Sequence, residues 1–405
     1  MKITINKGRA IGEVVAPSSK SMAHRLLISA ALAEGESVIH KIPFCDDVLA
    51  TMDCLTALGA KFSIDGDTIK ITGMDPHKSS PTKALPCRES GSTLRFLTPI
   101  CLLSGKETVL TGASSLLKRP MSIYEALSVE NGFTFIQNEN DITLKGPLTQ
   151  NKYRISGDVS SQFISGLLFA LPLIKGNSVI EIIPPVVSRP YIDLTISALE
   201  VFGIKIEWKD DSTLTVKGNQ KYTACETTVE GDYSGAAFMA ALNSIGGNVK
   251  IDGLKKDSLQ GDRVYEKFFK QLDEGVPTIH IADCPDLGPI LFALAAAKNG
   301  GIFTGTSRLR FKESDRASCM ADELKKFGTS IKIYEDSVII YPADFHTPTE
   351  ALYGHNDHRI VMSLAVLSTL TGGTIIGAEA IKKSYPEFFS ELEKLGIEEH
   401  VYEDQ

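Results

Sequence analysis

An apolar segment that ends at a glycine recurs six times in this chain of 405 residues, and this repeat limits the fold more than any other feature. The closing glycines are Gly35, Gly105, Gly176, Gly246, Gly300 and Gly372. The intervals between them are 70, 71, 70, 54 and 72 residues. A glycine just past a helix often adopts the left-handed conformation that ends it, and similarity at a fixed period indicates one supersecondary unit used repeatedly. The sequence therefore predicts six copies of a unit of about 70 residues.

Each copy shows the same order of predicted elements. A short alternating strand follows the glycine, as at residues 178–182, and a more amphipathic helix then ends at a second glycine, such as Gly203. Two strands next meet at an acidic turn, as at residues 62–71. One helix in each copy is apolar on nearly all sides, so we expect it to be buried. The pattern predicts an α/β fold built from βαβαββ units around buried helices.

The copies divide most simply into two domains of three units each. No linker rich in Pro, Gly or Ser separates them, so a boundary near residues 229–232 follows from the repeat alone. The N-terminal domain is predicted to end at residue 229 and the C-terminal domain to begin at residue 230. The short interval of 54 residues predicts that one unit of the C-terminal domain is trimmed.

Composition and charge exclude several classes of function. The formal net charge is −8, so affinity for nucleic acid or an anionic membrane is not expected. The first residues lack the apolar core of a signal peptide, and the apolar stretch at residues 163–174 is too short and interrupted to span a bilayer. Seven cysteines occur without a Cys-x-x-Cys pair or a Cys/His cluster, which favours reduced thiols in a cytoplasmic protein without a metal site.

Cations cluster where helices are predicted to begin. The positions are Lys20, Arg25, Lys118, Arg119, Arg189, Lys312, Arg316, Arg359, Lys382 and Lys383. A cation opposes the helix macrodipole there by about 0.3–1 kcal/mol, so several of them indicate an anion that contacts both the side chains and the free N–H groups. The sequence has no phosphate loop or dinucleotide fingerprint, so scattered Lys, Arg and Ser residues and helix ends are expected to bind phosphate.

Small hydroxyl and glycine residues precede the same apolar helices. They include Ser18, Ser19, Ser90, Gly91, Ser92, Thr93, Ser160 and Ser161. One interpretation is ordinary helix capping. The other is that several helix N-termini face one cleft, where hydroxyl groups bind phosphate oxygens. Neighbouring Lys, Arg and Gln residues favour the second interpretation for Ser21, Gly91, Ser160, Ser161 and Gln162.

Two carboxylates are candidates for proton transfer. Asp286 precedes an apolar helix, and Glu313 lies between two cations. Taken singly, the first is typical of a helix cap and the second of a solvated ion pair. Two carboxylates from different repeats that converge in a cationic cleft would instead suit general acid and base catalysis. His24 and His358, each beside an arginine, are predicted to have structural roles.

Eight short motifs occur in order across essentially the whole chain. They are Pro17-Ser18-Ser19-Lys20-Ser21, His24-Arg25, Gly91, Arg119-Pro120, Ser160-Ser161-Gln162, Lys312-Glu313-Ser314-Asp315-Arg316, Asp357-His358-Arg359 and Lys383-Ser384-Tyr385-Pro386. This ordered set closely resembles the 5-enolpyruvylshikimate-3-phosphate synthase family of enolpyruvyl transferases. The resemblance implies an inside-out α/β barrel of two lobes, residues 14–229 and residues 230–405 joined by 1–13, with the active site in the cleft between them.

The resemblance also implies an activity, which is transfer of the enolpyruvyl group of phosphoenolpyruvate to the 5-hydroxyl of shikimate 3-phosphate with release of phosphate. Shikimate 3-phosphate would contact Lys20, Ser21, Arg25, Ser160, Ser161, Gln162, Ser188, Asp286 and Lys312. Phosphoenolpyruvate would contact Lys20, Gly91, Arg119, Gln162, Arg316, Arg359 and Lys383. Glu313 would protonate the methylene carbon, Asp286 would take the hydroxyl proton, and Lys20 would bridge the two anions. No cofactor or metal is implied, and a monomer is expected.

Two positions depart from the family pattern, and two other functions stay open. Glu89 and Arg308 stand where the family often has Asn, so neither is assigned as a ligand. The first alternative is enolpyruvyl transfer to UDP-N-acetylglucosamine, although the loop at residues 112–118 lacks the cysteine usual in that sister enzyme. The second alternative is a non-catalytic anion-binding protein with two closing domains.

Overall fold

The computed structural model describes residues 1–343 and 345–402, which divide into two compact units. The central unit is Ser18–Glu230. The terminal unit combines Met1–Pro17 with the described residues from Gly231 onward. The predicted C-terminal lobe includes residue 344 and residues 403–405, which lie outside the described residues.

The unit boundaries lie close to the lobe boundaries expected from the sequence, with one difference that has a structural cause. Strand Ile11–Val15 pairs in parallel with strand Asn248–Asp252 of the terminal unit. A boundary after residue 13 would cut this strand, and the structure places it after Pro17. The second boundary follows Glu230, one residue beyond the expected position.

Short strands and helices alternate along the chain. The strands are β1 (Lys2–Ile5), β2 (Ile11–Val15), β3 (Glu36–His40), β4 (Lys61–Asp65), β5 (Thr68–Thr72), β6 (Leu85–Pro86), β7 (Glu107–Thr111), β8 (Thr134–Gln137), β9 (Asp141–Lys145), β10 (Lys152–Ser156), β11 (Ser178–Ile183), β12 (Ile206–Asp210), β13 (Thr213–Val216), β14 (Glu226–Thr228), β15 (Asn248–Asp252), β16 (Thr278–His280), β17 (Gly301–Thr304), β18 (Ile331–Ile333), β19 (Ser337–Ile340), β20 (Leu352–Tyr353), β21 (Gly373–Ile376) and β22 (Glu399–Tyr402). The α-helices are α1 (Lys20–Leu32), α2 (Asp46–Leu58), α3 (Gly91–Cys101), α4 (Ser114–Leu117), α5 (Ser122–Asn131), α6 (Ser161–Ala170), α7 (Arg189–Val201), α8 (Tyr233–Ser244), α9 (Tyr265–Glu274), α10 (Gly288–Ala297), α11 (Arg316–Lys325), α12 (His358–Thr371) and α13 (Phe388–Lys394). The 3-10 helices are Leu102–Ser104, Leu171–Leu173, Gly261–Val264, Pro285–Leu287, Ser307–Phe311 and Ala378–Lys383.

The three sheets of the central unit share one strand order. They run β14-β3-β5-β4, β6-β7-β9-β8 and β10-β11-β13-β12. In each sheet the first two strands are parallel, and the other neighbours are antiparallel. Because β14 comes from the end of the unit, it supplies the first strand of the first repeat and closes the unit on itself.

The terminal unit repeats this order with two modifications. Its sheets run β16-β17-β19-β18, β20-β21-β1-β22 and β15-β2. Strand β1, from the start of the chain, lies antiparallel between β21 and β22 and completes the last repeat. Within the described residues the pair β15-β2 has no hairpin beside it, and it belongs to the trimmed repeat that the 54-residue interval predicts. The α/β class and the repeated βαβαββ unit are confirmed.

The helices that the sequence predicts to be apolar on all sides lie in the core of each unit. In α10, nine of ten residues are buried, and in α12, twelve of fourteen. All six closing glycines have φ between 68° and 102°, the left-handed region that lets the chain leave the helix without a Cβ clash. Each unit has its own cluster of buried apolar side chains. The buried helices are therefore rigid supports for the side chains at their N-terminal ends.

Three further features of the described residues bear on function. None of their helices has the length and apolar character needed to cross a membrane. No group of three His, Cys, Asp or Glu side chains among them is arranged to hold a metal ion. The seven cysteines are free thiols, and five of them are buried.

Candidate active site

The predicted site residues fall into two groups, one in each unit. The central unit carries Lys20, Ser21, Arg25, Gly91, Arg119, Ser160, Ser161, Gln162 and Ser188. The terminal unit carries Asp286, Lys312, Glu313, Arg316, Arg359 and Lys383. Most of them lie near the N-terminal ends of helices, as the sequence predicts. Two cations are exceptions, because Lys383 ends the 3-10 helix Ala378–Lys383 and Arg119 lies in the connection between α4 and α5.

Arg316 is the centre of the group in the terminal unit. It is the first residue of α11, and its side chain is only 1% exposed. Its Nε donates to Asp357 Oδ2 at 2.8 Å, its Nη1 to Asp286 Oδ1 at 2.8 Å and its Nη2 to Glu313 Oε2 at 2.8 Å. A buried guanidinium needs such partners, since an uncompensated buried charge is strongly destabilising. The carboxylates therefore meet around one cation, and neither the helix-cap interpretation of Asp286 nor the solvated ion-pair interpretation of Glu313 holds.

Asp286 lies among three cations. Besides Arg316, it accepts from Lys312 Nζ at 3.2 Å and from Arg359 Nη2 at 3.1 Å. Burial acts to raise the pKa of the Asp286 carboxyl, but the charges of Arg359, Lys312 and Arg316 outweigh it and hold the pKa well below its ordinary value. Asp286 is thus an anion at neutral pH, with both oxygens available as hydrogen-bond acceptors.

Arg359 is buried, and some of its N–H donors are not used in hydrogen bonds with the described residues. Its side chain is 4% exposed, and Nη2 donates to Asp286. Its Nε and Nη1 have no hydrogen-bond partner among the described residues. Buried donors of a charged group are costly to leave unpaired, so this guanidinium is suited to an anionic ligand. Nearby in the same unit, Lys383 Nζ donates to the carbonyl of Asn356 at 2.7 Å.

Arg308, one of the two departures from the family pattern, lies close to this group. It belongs to the 3-10 helix Ser307–Phe311, and its Nη1 donates to the carbonyl of Ala282 at 3.4 Å. Burial is the main reason that the pKa of Lys312 is lowered, and the charges of Arg316 and Arg308 lower it further against the opposing effect of Asp286. The departure therefore adds positive charge beside Lys312.

In the central unit, the first helix carries a lysine and an arginine with different surroundings. The Oγ of Ser19 caps α1 by accepting from Met22 N, and Lys20 follows with its Nζ 2.9 Å from Asp47 Oδ2. Arg25 lies one turn later and is 3% exposed. It donates to neutral oxygens: the carbonyl of Ser21 at 2.7 Å, the carbonyl of Tyr191 at 3.0 Å and the hydroxyl of Thr195 at 2.8 Å. Burial without a carboxylate lowers the pKa of Arg25 to about 10.

Gly91, Arg119 and Gln162 come together at the start of α3. A Cβ on Gly91 would lie 3.1 Å from Arg119 Nη1 and 3.8 Å from Gln162 Oε1, so only glycine leaves these groups in place without a shift. Gln162 Oε1 accepts from Arg95 Nη1 at 2.7 Å, and Gln162 Nε2 donates to Ser92 Oγ at 2.9 Å. The carboxamide is fixed on both sides, which orients it beside the N-terminus of α3.

Three serines of the central group, at the starts of α6 and α7, have different local roles. Ser160 is the N-cap of α6, and its Oγ accepts from Gln162 N. Ser161 follows as the first residue of the helix and is buried. Ser188 precedes α7 with φ of 58°, is buried and makes no side-chain cap to that helix. Ordinary capping thus accounts for Ser160 but not for Ser188.

His24 holds the helices of the central unit together. Its Nδ1 lies 2.7 Å from Thr51 Oγ1, which lies 2.7 Å from Thr93 Oγ1, and Thr93 donates to Ser90 Oγ at 2.7 Å. This buried chain links α1, α2 and the cap of α3. Burial, with smaller effects of the charges of Lys20 and Arg25, lowers the pKa of His24 well below its usual value, so the ring is neutral. The structural role predicted for His24 fits these contacts.

Three residues of the site were not assigned a role from the sequence. Asp357 caps α12 and binds Arg316, Asp47 pairs with Lys20, and Arg95 orients Gln162. Arg95 could have been recognised from the sequence, since it is a cation in an otherwise uncharged helix that is nearly all buried. Asp47 had none, because an acidic residue in the first turn of a helix is ordinary.

Comparisons with known proteins place the whole chain in a family context. The profile of the EPSP synthase (3-phosphoshikimate 1-carboxyvinyltransferase) family matches residues 5–392. A 3-phosphoshikimate 1-carboxyvinyltransferase from Clostridium perfringens (strain SM101 / Type A) is 38% identical over 417 residues, covering 97% of this chain and 98% of that protein. Its counterpart from Clostridium botulinum (strain Alaska E43 / Type E3) is 38% identical over 425 residues, covering 98% of each chain. The structure of EPSP synthase from Acinetobacter baumannii matches with a TM-score of 0.78 at 25% identity, covering 99% of this chain and 100% of that one.

Proposed function

The chain belongs to the EPSP synthase (3-phosphoshikimate 1-carboxyvinyltransferase) family, and we infer that it transfers the enolpyruvyl group of phosphoenolpyruvate to the 5-hydroxyl of shikimate 3-phosphate with release of phosphate. It is a transferase of aromatic amino acid biosynthesis. The observation that carries this assignment is the similarity over nearly the full length of the chain and of its relatives. The two groups of site residues supply what two phosphates and two carboxylates require, which is many cationic and N–H donors.

Phosphoenolpyruvate binding is proposed for Lys20, Gly91, Arg119 and Gln162 of the central unit and for Arg316, Arg359 and Lys383 of the terminal unit. The free Nε and Nη1 of buried Arg359 support this proposal most directly. Gly91 supports it as well, because the absence of a Cβ leaves room for a ligand to approach the backbone beside Arg119.

Shikimate 3-phosphate binding is proposed for Lys20, Ser21, Arg25, Ser160, Ser161, Gln162, Ser188, Asp286 and Lys312. Ser160 and Ser161 lie at the N-terminus of α6, where free N–H groups and the helix dipole favour a phosphate. An arginine has five N–H donors, and the contacts of Arg25 to protein oxygens use three of them.

In the proposed mechanism, Glu313 gives a proton to the methylene carbon of phosphoenolpyruvate, and the neighbouring carbon becomes electron-poor. The 5-hydroxyl oxygen bonds to that carbon while its proton passes to Asp286. The tetrahedral adduct then breaks its carbon–oxygen bond to phosphate, and a methyl proton returns to the Glu313 carboxylate as the double bond is restored. Lys20 bridges the two anions and stabilises charge as it develops.

Anion binding prepares both carboxylates for these roles. Arg316 contacts Glu313 at 2.8 Å, and an anion that engages Arg316 competes for the same guanidinium. Asp286 owes its lowered pKa to Arg359, Lys312 and Arg316, which overcome the effect of burial. Neutralising these cations with substrate anions raises the pKa of the Asp286 carboxyl toward the range that proton transfer needs.

The proposal includes a monomer that acts in the cytoplasm. One chain carries every residue of both groups, so no second copy is needed to complete the ligand set. The free thiols suit a reducing compartment.

The test is phosphate release from phosphoenolpyruvate, with shikimate 3-phosphate and, separately, UDP-N-acetylglucosamine as the acceptor. We expect release only with shikimate 3-phosphate. Release only with the nucleotide sugar would keep the chemistry and overturn the acceptor. Absence of release with either acceptor, in protein that binds phosphoenolpyruvate by calorimetry, would favour a non-catalytic anion-binding protein.

A further inference from the structure

A strained turn precedes the last buried helix. The amide of Asp357 donates to the carbonyl of Gly354 at 2.9 Å, and the two residues between them, His355 and Asn356, have φ of 49° and 53°. Positive φ at both central positions is the arrangement of a type I′ turn, which usually contains glycine. Two consecutive non-glycine residues in this region cost free energy and persist only where the surroundings hold them.

A buried carboxylate on α11 holds this turn. Glu323 is 2% exposed and accepts from His355 Nε2 at 2.9 Å, from Tyr353 N at 2.9 Å and from Lys326 Nζ at 2.8 Å. Lys326 also donates to the carbonyl of Ala351 at 3.0 Å. The chain on the N-terminal side of the turn is thus attached to one end of α11.

The imidazole of His355 carries a positive charge at neutral pH. Hydrogen bonds to Cys319 and to Glu323, in that order, raise the pKa of His355 to about 10 against the effect of partial burial. Cys319, Glu323 and nearby Lys326 all belong to the α11 segment and its end, so this helix supplies the groups that face the ring. The contact with Glu323 is therefore an ion pair.

The other side of the turn reaches the candidate active site. The carbonyl of Asn356 accepts from Lys383 Nζ at 2.7 Å, and Asp357 binds Arg316 and caps α12 through Arg359 N. Glu323 and Arg316 are seven residues apart on α11, which places them on one face two turns apart. Residues 353–357 are consequently attached to the same helix face at both ends.

We propose that Glu323 and His355 are positioning residues for phosphoenolpyruvate binding, because their ion pair fixes the turn that sets Asn356 against Lys383 and Asp357 against Arg316. The inference rests on the proposed function, in which Lys383, Arg316 and Arg359 hold this substrate. Neither residue touches the substrate in this account. Loosening the turn would displace three ligands of one substrate and leave the ligands in the central unit unchanged.

The first test is Glu323→Gln, which keeps the size of the side chain and removes its charge. We expect KM for phosphoenolpyruvate to rise about tenfold, since one charge-assisted contact is lost, with a smaller change in kcat and in KM for shikimate 3-phosphate. The matched control is Glu391→Gln, because Glu391 makes the same i,i+3 pair with Lys394 at 2.7 Å on α13. The control is expected to keep the kinetic constants of the parent protein.

Two substitutions of His355 separate positioning from general stability. His355→Gln keeps an N–H donor for Glu323 and should raise KM for phosphoenolpyruvate only two- to threefold, whereas His355→Val loses the donor and cannot easily adopt positive φ, so about a tenfold rise is expected. In the parent protein, KM for phosphoenolpyruvate should increase as the pH rises past about 10, because His355, whose pKa is about 10, loses its charge there. His355→Gln should lack this added rise.

Several outcomes would overturn the inference. One is an unchanged KM for phosphoenolpyruvate in Glu323→Gln and His355→Val, and another is an equal rise in KM for both substrates with a lower melting temperature. If Glu323→Gln does not fold, the two His355 variants provide the test. Equal values of KM for phosphoenolpyruvate in His355→Val and His355→Gln would then overturn the inference. Failure of the proposed function is distinguishable, because the parent protein would then release no phosphate with shikimate 3-phosphate.

Discussion

The two units surround their buried cations with different partners. In the terminal unit, Arg316 contacts three carboxylates, of Asp286, Glu313 and Asp357. In the central unit, Arg25 donates to two carbonyls and a hydroxyl, and Arg95 to a carboxamide and a carbonyl. Neutral partners satisfy the hydrogen bonds of a guanidinium but leave its charge uncompensated. The central unit therefore holds buried guanidinium groups with neutral partners, and the terminal unit gathers three carboxylates around one guanidinium.

The pKa values of the arginines express the same difference. Burial without a carboxylate lowers the pKa of Arg25 to about 10. Burial also acts to lower the pKa of Arg316, but the charges of Asp357, Glu313 and Asp286 outweigh it, and the pKa is raised above its ordinary value. A cation–π contact with the ring of Phe96, at 5.2 Å, contributes to stabilising the charge of Arg25.

The sharpest test of this division removes one carboxylate from each unit. Glu313→Gln should lower kcat by about 10²–10⁴-fold, because the amide cannot carry the proton, while KM for both substrates stays within a few-fold. Asp47→Asn, which removes the partner of Lys20, should affect KM more than kcat. Steady-state phosphate release measures both. An equal loss of kcat in the two variants would contradict the assignment of proton chemistry to the terminal unit.

A second comparison substitutes one arginine with lysine in each unit. Arg316→Lys removes the guanidinium that contacts buried Asp357 and the partly buried carboxylates of Asp286 and Glu313. It should lower the free energy of unfolding by about 3–5 kcal/mol. Arg95→Lys disturbs contacts with neutral oxygens and should cost about 1–3 kcal/mol. Urea unfolding followed by circular dichroism gives both values. If both variants lost the same free energy of unfolding, the carboxylate partners of Arg316 would not make it more important for stability than Arg95.

The smallest expected effect concerns His24, whose neutral ring belongs to the hydrogen-bond chain of the central unit. Its pKa is lower in the folded than in the unfolded protein, so its contribution to stability is complete above pH about 6.5 and is lost as pH falls below that value. Below that pH, His24 makes the free energy of unfolding fall by up to about 1.4 kcal/mol for each pH unit. His24→Asn keeps a hydrogen-bonding group near Thr51 but cannot take up a proton in this range, so it should remove this pH dependence. The measurement is the free energy of unfolding at pH values across about two units, between roughly pH 7 and pH 5. A variant with the same slope as the parent protein would contradict the prediction.

The sequence by itself determined the repeated architecture. The glycine period, the apolar helices and the acidic hairpins are local signals, since left-handed caps, hydrophobic periodicity and turns depend on neighbouring residues. They led to six units, to burial of helices such as α10 and α12, and to a trimmed repeat before Gly300. The ordered motifs also identified the family and hence the activity. The placement of the first residues with the C-terminal domain followed from the family resemblance and not from the period, and the pairing of β1 in the last sheet was found only in the structure.

Only the tertiary structure decided which groups meet. Asp286, Glu313 and Asp357 are separated by up to 71 residues, and no local pattern states that they share one guanidinium. The same holds for Glu323 and His355, whose pairing depends on the path of residues 353–357 along α11. The physical reason is that charge pairing over long sequence separations is set by how helices pack, and burial then converts these contacts into pKa shifts and fixed geometry.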